Sequence, residues 1–377
     1  MRHELVQRLM DEFAESTGLT CRSEPRRYLW TDAFAVCNFL GLRHESGRER
    51  YLQLARDLVD QVHHILGRHR QDDPRSGWIS GLSEADGARH PTYGGLRIGK
   101  RLNEREAGKP ANPRLEWDQD GQYFHYLTKW MHALTRMSQD TGDTSYLRWA
   151  AELAVAAHRS FVYPVRPHGP KRMFWKMSID LRRPLVDSMG HHDPLDGMVG
   201  FFELRISDGI PADVAANLDA AIDDFSQMCD RAHWVTDDPL GIGGLLDDAL
   251  RLAELAAHRG IDRRELLLQL LGDARASLQG LCQSSMLDQA VSQRLAFREL
   301  GLSIGLRAVP LIVELVSPDA ELARLAQCLT KYEPLRGRIE TLWTQPVHRE
   351  SRTWQEHHDI NTVMLATSLA PDSYLAA

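Results

Sequence analysis

The stretch RLAFRELGLSIGLRAVPLIVEL, residues 294–315, decides the fold. It spans about six helical turns and is apolar on nearly every side, with small residues among the large ones. A helix of that kind is packed on most sides. The chain after it reads differently. Leu322, Leu325 and Leu329 form one apolar stripe beside a charged face, until Pro334 interrupts the pattern. That is an amphipathic helix with one face in water.

The same contrast recurs along the chain. Segments 28–42, 118–134, 193–204, 238–255 and 359–370 are of the buried type. Between them lie amphipathic stripes: Tyr51, Leu54, Leu58, Val62 and Ile65; Tyr146, Ala150, Leu153, Ala157 and Phe161; Val214, Leu218, Ile222 and Phe225; Leu267, Leu271, Ala274, Leu278 and Leu281. The first helix, about 3–17 with Leu5, Leu9 and Phe13 on one face, completes the set. A buried-type helix alternates with an amphipathic one six times. Successive hairpins of this kind can close into a double ring, six inner helices wrapped by six outer ones. A helical solenoid would alternate helices too, but six pairs without a strict sequence repeat favour the closed ring. The predicted fold is an all-α (α/α)6 toroid, residues 1–377 forming one domain.

Two segments, 68–117 and 163–192, carry many turn residues and read as long loops. Both run into buried-type helices. In a closed ring all inner helices start on one face, so both loops are expected to crowd that mouth. Helix starts are marked by Asp193-Pro194, Asp238-Pro239 and Ser317-Pro318, with a further cap at Asp143 or Thr144.

His-His-Asp occurs twice, at 191–193 and 357–359, each time opening a buried-type helix. In a ring of six these two helices are opposite one another. Asp193 and Asp359 are well placed as N-caps, and capping needs no catalytic explanation. Two histidine pairs at opposite helix starts nevertheless make His192 and His358 candidates for proton transfer, since histidine titrates near neutrality. Other acids sit at the same level: Asp32 in LWTDAF, and Glu116, Asp118 and Asp120 in LEWDQDGQYFHY. Paired carboxylates are what glycoside hydrolysis uses, one as acid for the leaving oxygen and one as base for water. Helix capping and first-turn acids are the plain alternative.

Aromatic residues gather at these starts. Trp30, Trp117, Trp234 and Trp354 lie near them, Tyr123 lies within the segment 118–134, and Trp78 and Trp175 lie on the long loops. Flat rings suit the C–H faces of sugars. Trp30, Trp117, Tyr123, Trp175 and Trp354 are the candidate sugar platforms. Segment 163–192 is basic, with Arg166, Lys171, Arg172, Lys176, Arg182 and Arg183 against Asp180 and Asp187. If it covers the mouth, an acidic ligand such as a uronate is expected, with Arg182 among its contacts.

Other classes are excluded or unsupported. The net charge of −7 argues against nucleic acid and anionic membranes as partners. No run approaches the roughly 18 apolar residues of a membrane span. Cys21, Cys37, Cys229, Cys282 and Cys328 are dispersed and odd in number, as in a reducing cytoplasm. GGLRIGK at 94–100 matches the phosphate-loop spacing but is followed by Arg101 and preceded by no apolar strand. Adjacent histidines on one backbone rarely converge on one ion, so no metal and no cofactor are expected.

LWTDAF resembles the W-x-D element of unsaturated glucuronyl and rhamnogalacturonyl hydrolases, in the six-hairpin glycosidase-like superfamily. HHDPLDGMVGF resembles their His-Asp-x-Gly element, although the two elements stand in reverse order here. The resemblance implies a general acid/base role for Asp32 and an active-site role for Asp193. The toroidal N-acylglucosamine and cellobiose 2-epimerases use two histidines on separate inner helices. That likeness implies the same for His192 and His358. The leading expectation is a glycoside hydrolase with Asp32 or Asp118 as acid and Asp193 as a partner. The alternatives are a sugar 2-epimerase or isomerase, and a carbohydrate-binding scaffold without chemistry.

Overall fold

A computed structural model describes residues 2–167, 169–230 and 232–375. They fall into two compact units, Met1–Ser16 with Ala232–Ala377, and Thr17–Arg231.

The first unit opens with the amphipathic α1 (Arg2–Ser16), which buries Val6, Leu9, Met10 and Phe13. The second unit consists of three long helical hairpins. They are α2 (Leu29–Ser46) with α3 (Glu49–Leu66), α6 (Phe124–Thr141) with α7 (Thr144–Phe161), and α8 (Asp193–Arg205) with α9 (Ala212–Cys229). Short helices α4 (Glu84–Arg89) and α5 (Pro113–Asp118) interrupt the segment after α3. The buried-type helices pack side by side, α2 on α6 and α6 on α8. The burial follows composition: eleven of the thirteen residues of α8 are buried, whereas α9 buries a stripe. Gly197 allows the close approach. A Cβ there would meet the rings of Phe124 and Phe225 at 3.0 and 3.1 Å.

The first unit continues with α10 (Pro239–Arg259), α11 (Arg264–Gln283), α12 (Ala296–Leu315), α13 (Ala320–Leu329) and α14 (Pro334–Thr344). Three short helices, α15 (Pro346–Arg349), α16 (Arg352–Glu356) and α18 (Asp372–Leu375), flank α17 (His358–Leu369). Here α12 packs on both α10 and α17, and α1 covers α17. The approach of α10 to α12 runs through glycines: a Cβ on Gly243 would lie 2.1 Å from the Gly301 carbonyl oxygen. No helix among the described residues is long and apolar enough to cross a membrane.

Three expectations are corrected in detail. Segment 163–192 is not all loop. It holds β2 (Val162–Pro164) paired with β3 (Lys171–Met173), and β4 (Lys176–Met177) paired with β5 (Pro184–Val186) and with β1 (Gln122–Tyr123), all antiparallel. These strands are too short to show a period in the sequence. The helix expected over 118–134 begins at Phe124, because Gly121 takes φ 148°, a conformation open to glycine. Asp118 is therefore the last residue of α5. The cap of α13 is Asp319, which accepts from the Glu321 and Leu322 amides, and not Ser317. The caps at Asp143 and Asp238 are as the sequence reads, accepting from the Ser145 and Leu240 amides.

Candidate active site

The site in unit Thr17–Arg231 starts from the small sheet. Pairing of Tyr123 with Lys176 brings β4 over the entry to α6. Trp175, one residue before β4, then lies 5.5 Å from Tyr123 and 6.5 Å from His125, ring centre to ring centre. Tyr123 and His125 stack at 5.4 Å. Interplanar angles of 19–34° make the three rings a nearly parallel set. Trp117, half exposed, meets Trp175 edge to face at 5.3 Å. Tyr126 closes the cluster against Tyr123 and His125, and its hydroxyl lies 2.6 Å from that of Tyr28.

Lys176 holds this platform from behind. It is fully buried, and its Nζ donates to the carbonyls of Glu116 at 2.6 Å and Gln119 at 2.8 Å. Its charge is paired with the Glu116 carboxylate at 3.3 Å. Burial pulls its pKa below the usual lysine value, and the Glu116 charge opposes that shift.

The start of α8 supplies the acid. The sequence reads Asp193 as an N-cap, and the structure corrects this. His192 occupies the cap position with helical backbone angles (φ −102°, ψ −3°) and makes no capping bond. The carboxyl group of Asp193 turns toward α6 instead. Oδ1 lies 3.5 Å from His125 Nδ1. Asp193 Oδ2 and His125 Nδ1 are both buried, and neither makes a hydrogen bond within the protein. Buried polar atoms in that condition are rare and mark strain or function. Gly190 lets the loop pass close over the acid: a Cβ there would sit 2.3 Å from Asp193 Oδ2.

Electrostatics follow from this placement. The Asp193 side chain is 7% exposed. Burial pushes its pKa up to about 8, with the Asp196 charge adding to the rise and Lys129 opposing it. Burial therefore outweighs the helix N-terminus, which favours the carboxylate. Desolvation also lowers His125, to about 4. At neutral pH the pair is a protonated carboxylic acid beside a neutral imidazole.

The remaining candidates divide. Asp32 is buried near the start of α2. Its Oδ2 accepts from the Tyr28 amide at 2.9 Å, and its Oδ1 lies 3.5 Å from Arg27 Nη1. It thereby sets the backbone of Tyr28, whose ring reaches the aromatic cluster. Trp30 is buried against Phe34 at 4.5 Å. Glu116 and Asp120 are buried in ion pairs, Glu116 with Arg105 and Lys176, Asp120 with Arg97 and Arg70. Asp118 is exposed beside Trp117. Arg182 is exposed, and its amide donates to Asp180 Oδ1 at 3.2 Å. His192 is half-buried, its ring 4.8 Å from that of His191. Structure thus gathers Tyr123, Trp117, Trp175 and Asp193, and leaves Trp30 in the core of α2. Sequence reasoning missed His125. Its signal was its place in QYFHY, two residues beyond Tyr123.

His358 and Trp354 lie in the other unit. Trp354 is buried and stacks on Trp343 at 5.7 Å, as a core residue does. His358 has both ring nitrogens engaged, Nε2 with Glu12 Oε1 at 2.8 Å and Nδ1 with Asp359 Oδ1 at 3.2 Å. These carboxylates raise its pKa above the usual imidazole value. Both residues line a cavity of about 190 Å³ together with Arg349 and Thr362. Asp359, expected as a cap, instead accepts from Ser16 Oγ at 3.3 Å. Among the described residues no group of three or more His, Cys, Asp or Glu is arranged to hold a metal ion.

No family model matches the sequence, and no curated protein matches it. Solved structures do. A GH76 α-mannanase from Bacteroides thetaiotaomicron is similar over 100% of this chain and 98% of its own, with a TM-score of 0.55 at 9% identity. A sugar epimerase from a ruminal bacterium aligns over 98% of this chain and 99% of its own (TM-score 0.49, 12% identity). The cellobiose 2-epimerase of Spirochaeta thermophila aligns over 97% and 98% (TM-score 0.48, 11% identity). By its full-length likeness to the mannanase, the chain has an all-α (α/α)6 toroid fold.

Proposed function

We propose that this protein is a carbohydrate-active enzyme, and specifically a glycoside hydrolase in which Asp193 is the general acid. One observation carries the reading: a buried carboxyl group, its pKa pushed up to about 8 by burial, has an oxygen without a protein partner next to a stack of nearly parallel rings. A sugar ring laid on Trp175 and Tyr123 presents its C–H face to them. Asp193 then gives its proton to the glycosidic oxygen as the C–O bond breaks, so the leaving sugar departs as a neutral alcohol. A water molecule adds to the anomeric carbon, and a second carboxylate takes its proton. Asp118, exposed beside Trp117, is the residue we assign to that base. Asp32 serves the acid less well, because its carboxyl group is already engaged by Arg27 and the Tyr28 amide.

A second reading is favoured by the opposed shifts of Asp193 and His125. A neutral imidazole beside a protonated acid is a pair able to take a proton from one face of a carbon and give one to the neighbouring carbonyl oxygen, with water then returning a proton to the carbon's opposite face as the carbonyl re-forms. In an opened sugar that would be the carbon beside the aldehyde, and the outcome would be 2-epimerisation.

Proton NMR in D₂O separates the two. The protein is incubated with a panel of reducing disaccharides, α-mannosides and unsaturated uronyl disaccharides. Hydrolysis gives new anomeric signals from released sugars. Deuterium entering at C2 without cleavage transfers the assignment to the epimerase. Asp193→Asn should silence either reaction while the ligand still binds, and a variant as active as the wild type would sink both.

A further inference from the structure

The first turn of α8 carries a second buried acid, which the proposed reaction does not use. Asp196 is 5% exposed and sits one helical turn beyond Asp193. Its Oδ2 accepts from Thr128 Oγ1, and its Oδ1 accepts from Lys129 Nζ at 3.0 Å. Thr128 and Lys129 both belong to α6, whose first turn carries His125. The hydroxyl of Thr128 also lies 3.0 Å from the His125 carbonyl oxygen. Two polar bonds therefore tie the first turn of α8 to the second turn of α6, one turn beyond the point where the acid meets the imidazole.

We infer that Asp196 is a positioning residue, clamped by Thr128 and Lys129, that fixes Asp193 against His125 and sets how readily Asp193 gives up its proton. This rests on the reading of Asp193 as the acid. The clamp has two parts with opposite electrostatic effects. Asp196 is a negative charge in a poorly solvated turn, and a like charge nearby disfavours ionisation of Asp193. Lys129 answers that charge, so the acid is neither left to ionise freely nor locked permanently in its protonated form. The causes of the Asp193 shift agree, Asp196 raising and Lys129 lowering it.

Further titratable groups lie on the elements beside this turn. The loop before α8 brings His191 and His192, and α6 brings His125 and Lys129. From α9, Asp224 is bound by His158 of α7 and by Lys171. The clamp joins one charged group from each of the two helices, Asp196 of α8 and Lys129 of α6. A purely structural tie would do as well with a neutral pair, since two apolar groups of matching shape often pack equally well. The charges earn their place only if they act on the acid.

The test reads the acid directly and needs no substrate. Protein labelled with ¹³C at aspartate carboxyl carbons is titrated by NMR, and the Asp193 signal is identified by its loss in Asp193→Asn. Wild-type Asp193 should titrate near pH 8. Asp196→Asn should lower its proton affinity by about 10-fold, and Lys129→Met should raise it by a similar factor. Opposite shifts in two variants that cut the same tie cannot come from loosened packing. If both variants titrate as the wild type does, the clamp is merely structural and the inference falls, while the reading of Asp193 stands. If wild-type Asp193 titrates in the ordinary carboxylate range, that reading falls and takes the clamp with it. Should Asp196→Asn fail to fold, Lys129→Met alone still decides by the direction of its shift.

Discussion

The chain carries His-His-Asp twice, and the two copies end up doing different things. At 191–193 the helix starts on the aspartate, and His192 takes the cap position. At 357–359 the helix starts on the second histidine, and His357 takes the cap position. The helical register differs by one residue, which turns every side chain by about 100°. Asp193 consequently faces its neighbour helix and is buried, with one oxygen lacking a hydrogen bond. Asp359 keeps 31% of its side-chain surface and binds Ser16 and His358. One tripeptide has produced a buried, incompletely hydrogen-bonded acid in one unit and an ion pair in the other. What separates them is where the helix begins, and Pro194 on one side against Ile360 on the other is the local difference in sequence.

The comparison breaks most plainly on turnover. Asp193→Asn should reduce the rate on a cleaved or epimerised sugar by at least about 10²-fold, the usual contribution of a general acid. Asp359→Asn should leave the rate within a few-fold of wild type. Equal losses in the two variants, measured by NMR on the same substrate, would mean that the register difference has no functional meaning.

Stability against pH is the next largest effect. Asp193 has its folded pKa raised to about 8, whereas an unfolded aspartate titrates near 4. The folded state therefore holds the proton more tightly, and stability falls as pH rises from about 4 to about 8. Asparagine cannot ionise. Asp193→Asn should be more stable than wild type at pH 9, by roughly 2–4 kcal/mol, and nearly equal at pH 4. His125 acts in the opposite sense. Its pKa is lowered to about 4, so its contribution grows between about 4 and 6.5 and is constant above that. Thermal melts at pH 7 and pH 9 thus isolate the aspartate. A variant less stable than wild type at pH 9 would show that the buried carboxyl group is not held protonated.

The ring platform gives a smaller effect. Trp175→Ala removes the face that covers Tyr123 and His125. It should weaken sugar binding about 10-fold, from the loss of one aromatic contact of roughly 1.5 kcal/mol. Trp354→Ala removes a buried core ring. It should therefore cost folding stability instead, by about 3 kcal/mol or more. Calorimetric titration and thermal melts on the same two variants check whether the platform belongs to the first copy of the tripeptide.

How much of this was legible depends on the length of the pattern. The twelve helices of the alternation are written in runs of ten residues or more, and hydrophobic period reads them well. The stretch 294–315 could only be a buried helix, and it is one. Strands β1 to β5 span two or three residues each and leave no period to read. Those strands place Trp175 over His125, so the site was half legible: Tyr123, Trp117, Trp175 and Asp193 could be named, and their meeting could not. His125 went unnamed because a lone histidine in a helix start signals nothing until a partner is placed beside it. Asp32, Glu116 and Asp120 looked like catalytic acids in one dimension. Their arginine and lysine partners come from 5 to 60 residues away, and only folding reveals that they are paired.

The second copy of the tripeptide gives the smallest expected effect and the sharpest control. His358 has its pKa raised by Asp359 and Glu12. A histidine shifted in that direction binds its proton more tightly when folded. Its stabilisation is fully present below about pH 6.5 and is lost as pH rises through the folded pKa. The pair is partly open to water, with 27% of the His358 side chain and 49% of Glu12 exposed, so screening limits the gain to about 1 kcal/mol or less. His358→Gln should therefore melt slightly below wild type at pH 5.5 and match it at pH 9. Raising the salt concentration should shrink the difference at pH 5.5, because exposed charges are screened. This pH profile has the same sense as that of Asp193, lower stability at higher pH, but comes from the opposite chemistry. In one copy a cation loses its partners' attraction, and in the other a buried acid acquires a charge it cannot solvate. Salt distinguishes them, since the buried acid is shielded from it. If the Asp193 profile proved as salt-sensitive as that of His358, the two copies would be alike after all, and burial would not be what separates them.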